Sequence, residues 1–147
     1  KKFRITNGKL KSGLKLVAWD MPGQLIFRQG WLRGAQASNI LLFMLDSFDK
    51  ERYEESKREF WNIVNLYELQ GLPIVFLVNK IDLLADSPSE QEIVDFFNLK
   101  NCADRDLKVL FTSLPNRVGI DVLENWLEHQ ANELLLTNGI VPPQQSP

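Results

Sequence analysis

Two short strings in this chain hold side chains whose types and spacing could do chemistry. The first is Leu16-Val17-Ala18-Trp19-Asp20-Met21-Pro22-Gly23-Gln24, where a run of β-formers stops at an acid and a Pro-Gly turn hands over to a helix-like segment. In an open α/β sheet, ligands sit outside the carboxyl ends of the strands, so Asp20 and Gln24 stand where chemistry is usual. A carboxylate there can hold Mg²⁺ through water, and a glycine lets a backbone N–H approach a phosphate closely. Alone the signal is weak, because most Asp-x-Pro-Gly strings are plain turns.

The second string, Asn79-Lys80-Ile81-Asp82, follows the apolar run Ile74-Val75-Phe76-Leu77-Val78. Its spacing suits guanine. A carboxylate at Asp82 can accept from the ring N1–H and from the exocyclic amine, whereas adenine offers neither donor there. A site with a buried acceptor rejects the ligand that cannot pair with it. Asn79 either ties the loop to its neighbours or reaches the base edge, and the Lys80 stem can lie over the ring. The plainer reading is a strand followed by a polar turn. Two such strings at two strand ends count against it.

The elements that must position these residues follow from the apolar pattern. Lys1 to Leu10 and Gly13 to Trp19 read as two strands joined by a turn carrying Asn7-Gly8 and Ser12-Gly13, the first a half-exposed edge strand. Leu25 to Ala37 reads as a short irregular helix. Ile40 to Leu45 reads as a fully buried strand ending at Asp46. A long helix is expected from about Lys50 to Leu69, with Tyr53, Phe60, Ile63, Val64 and Tyr67 on its inner face. Ser87-Pro88-Ser89-Glu90 reads as a capping box opening a helix to about Asn98. Lys108 to Phe111 is the last strand, and Leu123, Trp126, Leu127 and Leu134 mark a closing amphipathic helix. Strands alternating with helices predict an α/β fold with a mostly parallel sheet covered on both faces.

Composition narrows the class. With 147 residues, 44% hydrophobic and 24% charged, the chain is long and apolar enough for one domain with a real core. A net charge of −2 argues against a general nucleic-acid surface, so no nucleic-acid partner is expected. One cysteine, Cys102, gives no intrachain disulfide framework and suits a reducing compartment. No apolar run has the length of a membrane span and no signal-peptide pattern is present, so the expected location is cytoplasmic. A redox or other nucleotide enzyme has little support: there is no G-x-G-x-x-G, His129 falls in the closing helix, and Cys102 has no flanking basic pair.

Taken in order, these strings resemble the small GTPases, and within them the Arf family. Trp19-Asp20-Met21-Pro22-Gly23-Gln24 is similar to that family's W-D-x-G-G-Q, and Arg28 and Trp31 fall where Arf proteins carry an Arg and a Trp. Leu45-Asp46-Ser47-Phe48-Asp49-Lys50-Glu51-Arg52 resembles V-D-S-x-D-R-E-R, Asn79-Lys80-Ile81-Asp82-Leu83 resembles N-K-x-D-L, and Thr112-Ser113-Leu114 stands where Arf proteins have T-C-A. The resemblance covers about Phe3 to Leu135. It implies a GTP-binding molecular switch with GTP or GDP and Mg²⁺ as ligands. Asn79, Lys80, Asp82, Thr112, Ser113 and Leu114 would hold the guanine, with backbone N–H groups near Ser113 and Leu114 reading its oxygen. Asp20 would help position Mg²⁺ through water, Gly23 would bond the γ-phosphate, and Gln24 would orient the attacking water as the catalytic residue. Leu25 to Ala37 would be the switch that orders with the γ-phosphate. Phe27 and Trp31 would face exchange factors, GTPase-activating proteins and effectors, although both aromatics suit core packing equally well.

Two departures qualify the match. Pro22 replaces a glycine, fixing φ and removing an N–H. No G-x-x-x-x-G-K-[ST] and no switch I Thr occur in these residues, so the first strand and the phosphate loop of the family are absent from this sequence. The expectation is a small GTPase domain over 1–136, N-terminally incomplete, with a disordered tail over 137–147. The complete protein would hydrolyse GTP slowly, serve membrane traffic or a related process, and associate peripherally with membranes, while this stretch alone would be inactive. The alternative is a pseudo-GTPase interaction module without nucleotide hydrolysis.

Overall fold

The computed structural model describes residues 3–142, apart from the side chains at 25–27, and the chain forms two compact units, 1–37 with 121–147, and 38–120. The fold class is the expected α/β.

In the first unit, β1 (Arg4–Lys9) and β2 (Lys15–Asp20) pair antiparallel, from Arg4 opposite Asp20 to Lys9 opposite Lys15. Ser12-Gly13 makes the turn, with Gly13 at φ +88°, where a side chain is strained. Asn7-Gly8, expected in the turn, lies inside β1 instead. The turn rests on α4 (Ile120–Thr137): Ser12 N–H donates to Glu128 Oε1 at 2.8 Å, and Lys11 pairs with Asp121 and Glu124. Gly139, at φ +71°, closes that helix, with Ile140 N–H returning to the Leu135 carbonyl at 2.9 Å. After β2 the chain passes through a 3-10 turn (Leu25–Gly30) into α1 (Trp31–Gln36), the irregular helix the sequence implies.

In the second unit, β3 (Leu41–Asp46), β4 (Ile74–Asn79) and β5 (Leu107–Phe111) form a parallel sheet in the order β3-β4-β5. Every residue of β4 is buried, as its continuous apolar run predicts for a central strand. Helices α2 (Tyr53–Val64) and α3 (Glu90–Phe96) pack on the sheet face that carries Ile74, Phe76 and Val78. The core is aromatic: the Phe76 ring meets those of Phe97, Phe60 and Phe43 at 4.9, 5.3 and 5.3 Å.

Three further expectations need correction. The strand after Ile40 is not fully buried: Leu42 and Met44 are 47% and 54% exposed, because β3 is an edge strand of this sheet. The helix expected to Leu69 stops at Val64, and a separate 3-10 turn (Tyr67–Leu69) leaves Tyr67 exposed. Arg105 fixes that break, its guanidinium donating to the Leu69 carbonyl at 2.9 Å and to the Val64 carbonyl at 3.3 Å. The capping box sits two residues later than expected. Ser89 Oγ accepts from Glu92 N–H at 3.2 Å while Glu92 Oε2 accepts from Ser89 N–H at 2.6 Å, so Pro88 precedes the cap.

Candidate functional site

Because β3, β4 and β5 run parallel and nearly in register, with Asp46 opposite Asn79 and Val78 opposite Phe111, their carboxyl ends stop together. Three loops therefore meet at one edge: Asp46-Ser47, Asn79 to Asp82, and Thr112 to Leu114.

Asn79 is the tie among them. Its Oδ1 accepts from Thr112 Oγ1 at 3.0 Å, its Nδ2 lies 3.6 Å from Met44 Sδ, and its carbonyl accepts from both the N–H and the Oγ of Ser47, at 3.1 and 2.6 Å. Of the two roles open to Asn79 in the sequence, the structure shows the tying one. The Ser47 carbonyl in turn accepts from Tyr53 OH at 2.9 Å.

Lys80 turns the chain with φ +65°, a left-handed conformation that costs a residue with a Cβ roughly 1–2 kcal/mol. Ile81 N–H then meets the Thr112 carbonyl at 3.4 Å, and a 3-10 turn over Ile81–Leu83 carries Asp82. The Lys80 ammonium reaches sideways to Asp46 Oδ2 at 2.6 Å. Partial burial alone would raise the Asp46 carboxyl pKa. The Lys80 hydrogen bond and charge, with the backbone N–H groups of Phe48 and Asp49, outweigh it and hold the carboxyl below its ordinary range. The same hydrogen bond raises Lys80.

Asp82 is exposed, and one of its oxygens, Oδ1, accepts from Ser113 Oγ at 2.7 Å. Ser113 and Thr112 are buried, and Leu114 is exposed. Ser113 N–H is occupied by the Val118 carbonyl at 3.2 Å, which closes the loop, whereas no bond forms from Leu114 N–H among the described residues. Of the two backbone donors expected near here, Leu114 N–H is the open one. The loop thus sets a fixed, solvent-facing carboxylate beside a buried hydroxyl, with an unengaged amide on the same strand exit. That donor–acceptor set complements a ring that presents N–H donors and one carbonyl oxygen, as guanine does.

In the first unit, Asp20 is exposed at the end of β2, and Gly23 and Gln24 are exposed beyond it. The turn is strapped from within its own segment. Trp31 Nε1 donates to the Pro22 carbonyl at 3.0 Å, Arg28 Nε donates to the Gly23 carbonyl at 3.0 Å, and the Arg28 guanidinium stands 5.7 Å from the Trp31 ring centre. Trp31 is half-buried with its N–H engaged, while the side chain of Phe27 lies outside the described residues. Met21 packs on Gly34 of α1 so closely that a Cβ there would stand 2.8 Å from Met21 Sδ. Among the described residues no group of three or more His, Cys, Asp or Glu is set to hold a metal. Also among them, no helix is long and apolar enough to cross a membrane.

Read from the sequence, Asp46 has no role beyond ending a strand and Ser47 to Asp49 are helix caps, whereas the structure ties both Asp46 and Ser47 to the exit of β4. The signal was available: an acid and a hydroxyl residue close one apolar run, and a lysine and an asparagine close the next.

A model of the ADP-ribosylation factor family matches residues 3–131. Among solved structures, the chain is similar to the Arl6 BBS3 small GTPase from Trypanosoma brucei with bound nucleotide analogue GppNp. The TM-score is 0.80 at 21% identity, over 90% of this chain and 81% of that one, which shows a shared fold.

Proposed function

From the premise that this chain belongs to the ADP-ribosylation factor family of small GTPases, we propose that it is a guanine-nucleotide switch that hydrolyses GTP slowly and signals through the segment Leu25 to Ala37. Asp82 reads the N1–H and exocyclic amine of guanine, and the Leu114 N–H reads its oxygen. Thr112 and Ser113 brace Asn79 and Asp82 from the neighbouring strand exit. Gly23 bonds the γ-phosphate through its N–H, and Gln24 orients the attacking water. Asp20 would hold Mg²⁺ through water, and the ion would supply neutralisation of phosphate charge. The exposed end of β2 fits such an outer-sphere role.

The observation that carries this reading is the Asp82 carboxylate, exposed on its own loop yet fixed by a buried hydroxyl from the next. The brace holds the carboxylate in one orientation, which is what reading two neighbouring ring donors requires. Family membership supports guanine nucleotide, regulators and effectors in general. Membrane traffic as the process, peripheral membrane attachment and a cytoplasmic location are parts of the same proposal.

The test is nucleotide content. The full-length protein is purified and denatured, and the supernatant is resolved by ion-exchange chromatography beside the intact mass of the polypeptide. GDP or GTP near one equivalent supports the switch. A folded protein without nucleotide is instead a pseudo-GTPase interaction module.

A further inference from the structure

We propose that Asp46 is a positioning residue for the guanine nucleotide, acting through Lys80. The inference rests on the nucleotide reading above and adds a residue to which that reading gives no part.

Lys80 leaves β4 with its backbone in the left-handed region, and its ammonium is held at the end of β3 by Asp46 Oδ2 at 2.6 Å. Neighbouring parallel strands lie about 4.8 Å apart, so the stem of Lys80 spans the gap between two strand ends. Asp46 is itself fixed. Its Oδ1 accepts from Phe48 N–H at 3.1 Å, and its carbonyl accepts from Asp49 N–H at 3.3 Å. The next residue, Ser47, grips the Asn79 carbonyl with two bonds. Asp46-Ser47 is therefore a bracket: one residue holds the backbone before Lys80, and the other holds the end of its side chain.

A free lysine stem on a half-exposed loop samples many rotamers, and ordering it would oppose every binding event. Anchored at both ends, it presents a ready apolar bar for a purine face, which is preorganisation. The ion pair is half-exposed on both sides, so its own contribution to stability is small. Its effect falls on ligand residence. It makes no contact that distinguishes one purine from another, so base choice stays with Asp82.

The test is the dissociation rate of a fluorescent GDP from the full-length protein. Asp46→Asn keeps the acceptor for Phe48 N–H and removes the charge facing Lys80. It is expected to speed release about 5- to 20-fold, the range of one modest charged contact. Lys80→Met breaks the pair from the other side while keeping a stem, and should speed release comparably. Asp46→Asn added to Lys80→Ala should give no further acceleration, and the release ratio of GDP to inosine diphosphate should not move. A melting temperature close to wild type separates this from loss of fold. Release at the wild-type rate in Asp46→Asn, or full multiplication of its effect with that of Lys80→Ala, overturns the positioning role while leaving the switch intact. A wild-type protein that binds no guanine nucleotide overturns both.

Discussion

Ser113 Oγ donates to Asp82 Oδ1 at 2.7 Å, so a buried residue at the exit of β5 steadies an exposed carboxylate at the exit of β4. This pin occupies one acceptor site on Oδ1, and the remaining acceptor sites of the exposed carboxylate face solvent. Ser113→Ala removes the pin, and the expected outcome is guanine-nucleotide affinity weaker by about tenfold, the size of one hydrogen bond to a charged group. Asp82→Ala should weaken it far more. Calorimetric titration with GDP measures both, and equal affinity in Ser113→Ala would show that Asp82 needs no brace.

Much of this was legible in the residues, and what was not had physical reasons. The run Ile74 to Val78 reads as a central strand because nothing polar interrupts it, and it is fully buried. An uninterrupted run also hides alternation, which is why Leu42 and Met44 gave no sign of facing outward. The helix start reads two residues early in the sequence because Ser87-Pro88-Ser89-Glu90 fits the capping pattern, and so does Ser89-Glu90-Gln91-Glu92, the one the folded chain uses. The N-K-x-D string announced a loop chemistry. The pairing of Lys80 with Asp46, 34 residues away, depends on strand register and could not be read from either string alone.

Gly119 stands behind the same loop with φ +76°, and a Cβ there would collide with the Phe111 carbonyl oxygen and crowd the Thr112 methyl. The clash is with backbone, which cannot swing aside as a side-chain tip can. Gly119→Ala combines that clash with a strained φ, so a loss of roughly 2–4 kcal/mol is expected. Urea denaturation measures it. Gly34→Ala is the matched comparison: the atoms in the way are the flexible end of Met21, and an alanine favours α1, so its effect should stay within about 1 kcal/mol.

Trp31 holds the turn by its ring N–H, which reaches the Pro22 carbonyl at 3.0 Å. Trp31→Phe keeps most of the ring and loses that bond, so stability should fall by about 0.5–1.5 kcal/mol. If the turn and helix α1 form a switch, the same variant should also broaden the amide resonances of Gly23 and Gln24 in the GDP-bound protein. Unchanged line widths would mean that Arg28, donating to the Gly23 carbonyl, holds the turn without help.

Cys102 tests the second unit from inside its core. It is 4% exposed, and burial raises its thiol above the ordinary 9.0, with the charge of Arg105 pulling back and that of Asp104 pushing the same way as burial. Two outcomes follow. The folded protein should react with an aromatic disulfide reagent far more slowly than free cysteine, with full reactivity appearing on unfolding. The pH dependence follows from the sign of the shift: the fold favours the protonated thiol, so the contribution is complete below the unfolded thiol's pKa. It is lost as pH rises through the higher folded value. Cys102→Ala should therefore be less stable than wild type near pH 7, by the lost packing, and the gap between the two should narrow toward pH 10. Denaturant melts of both proteins at pH 7 and pH 10 decide it, and a gap that widens with pH would mean that the thiol ionises more readily in the folded core than out of it.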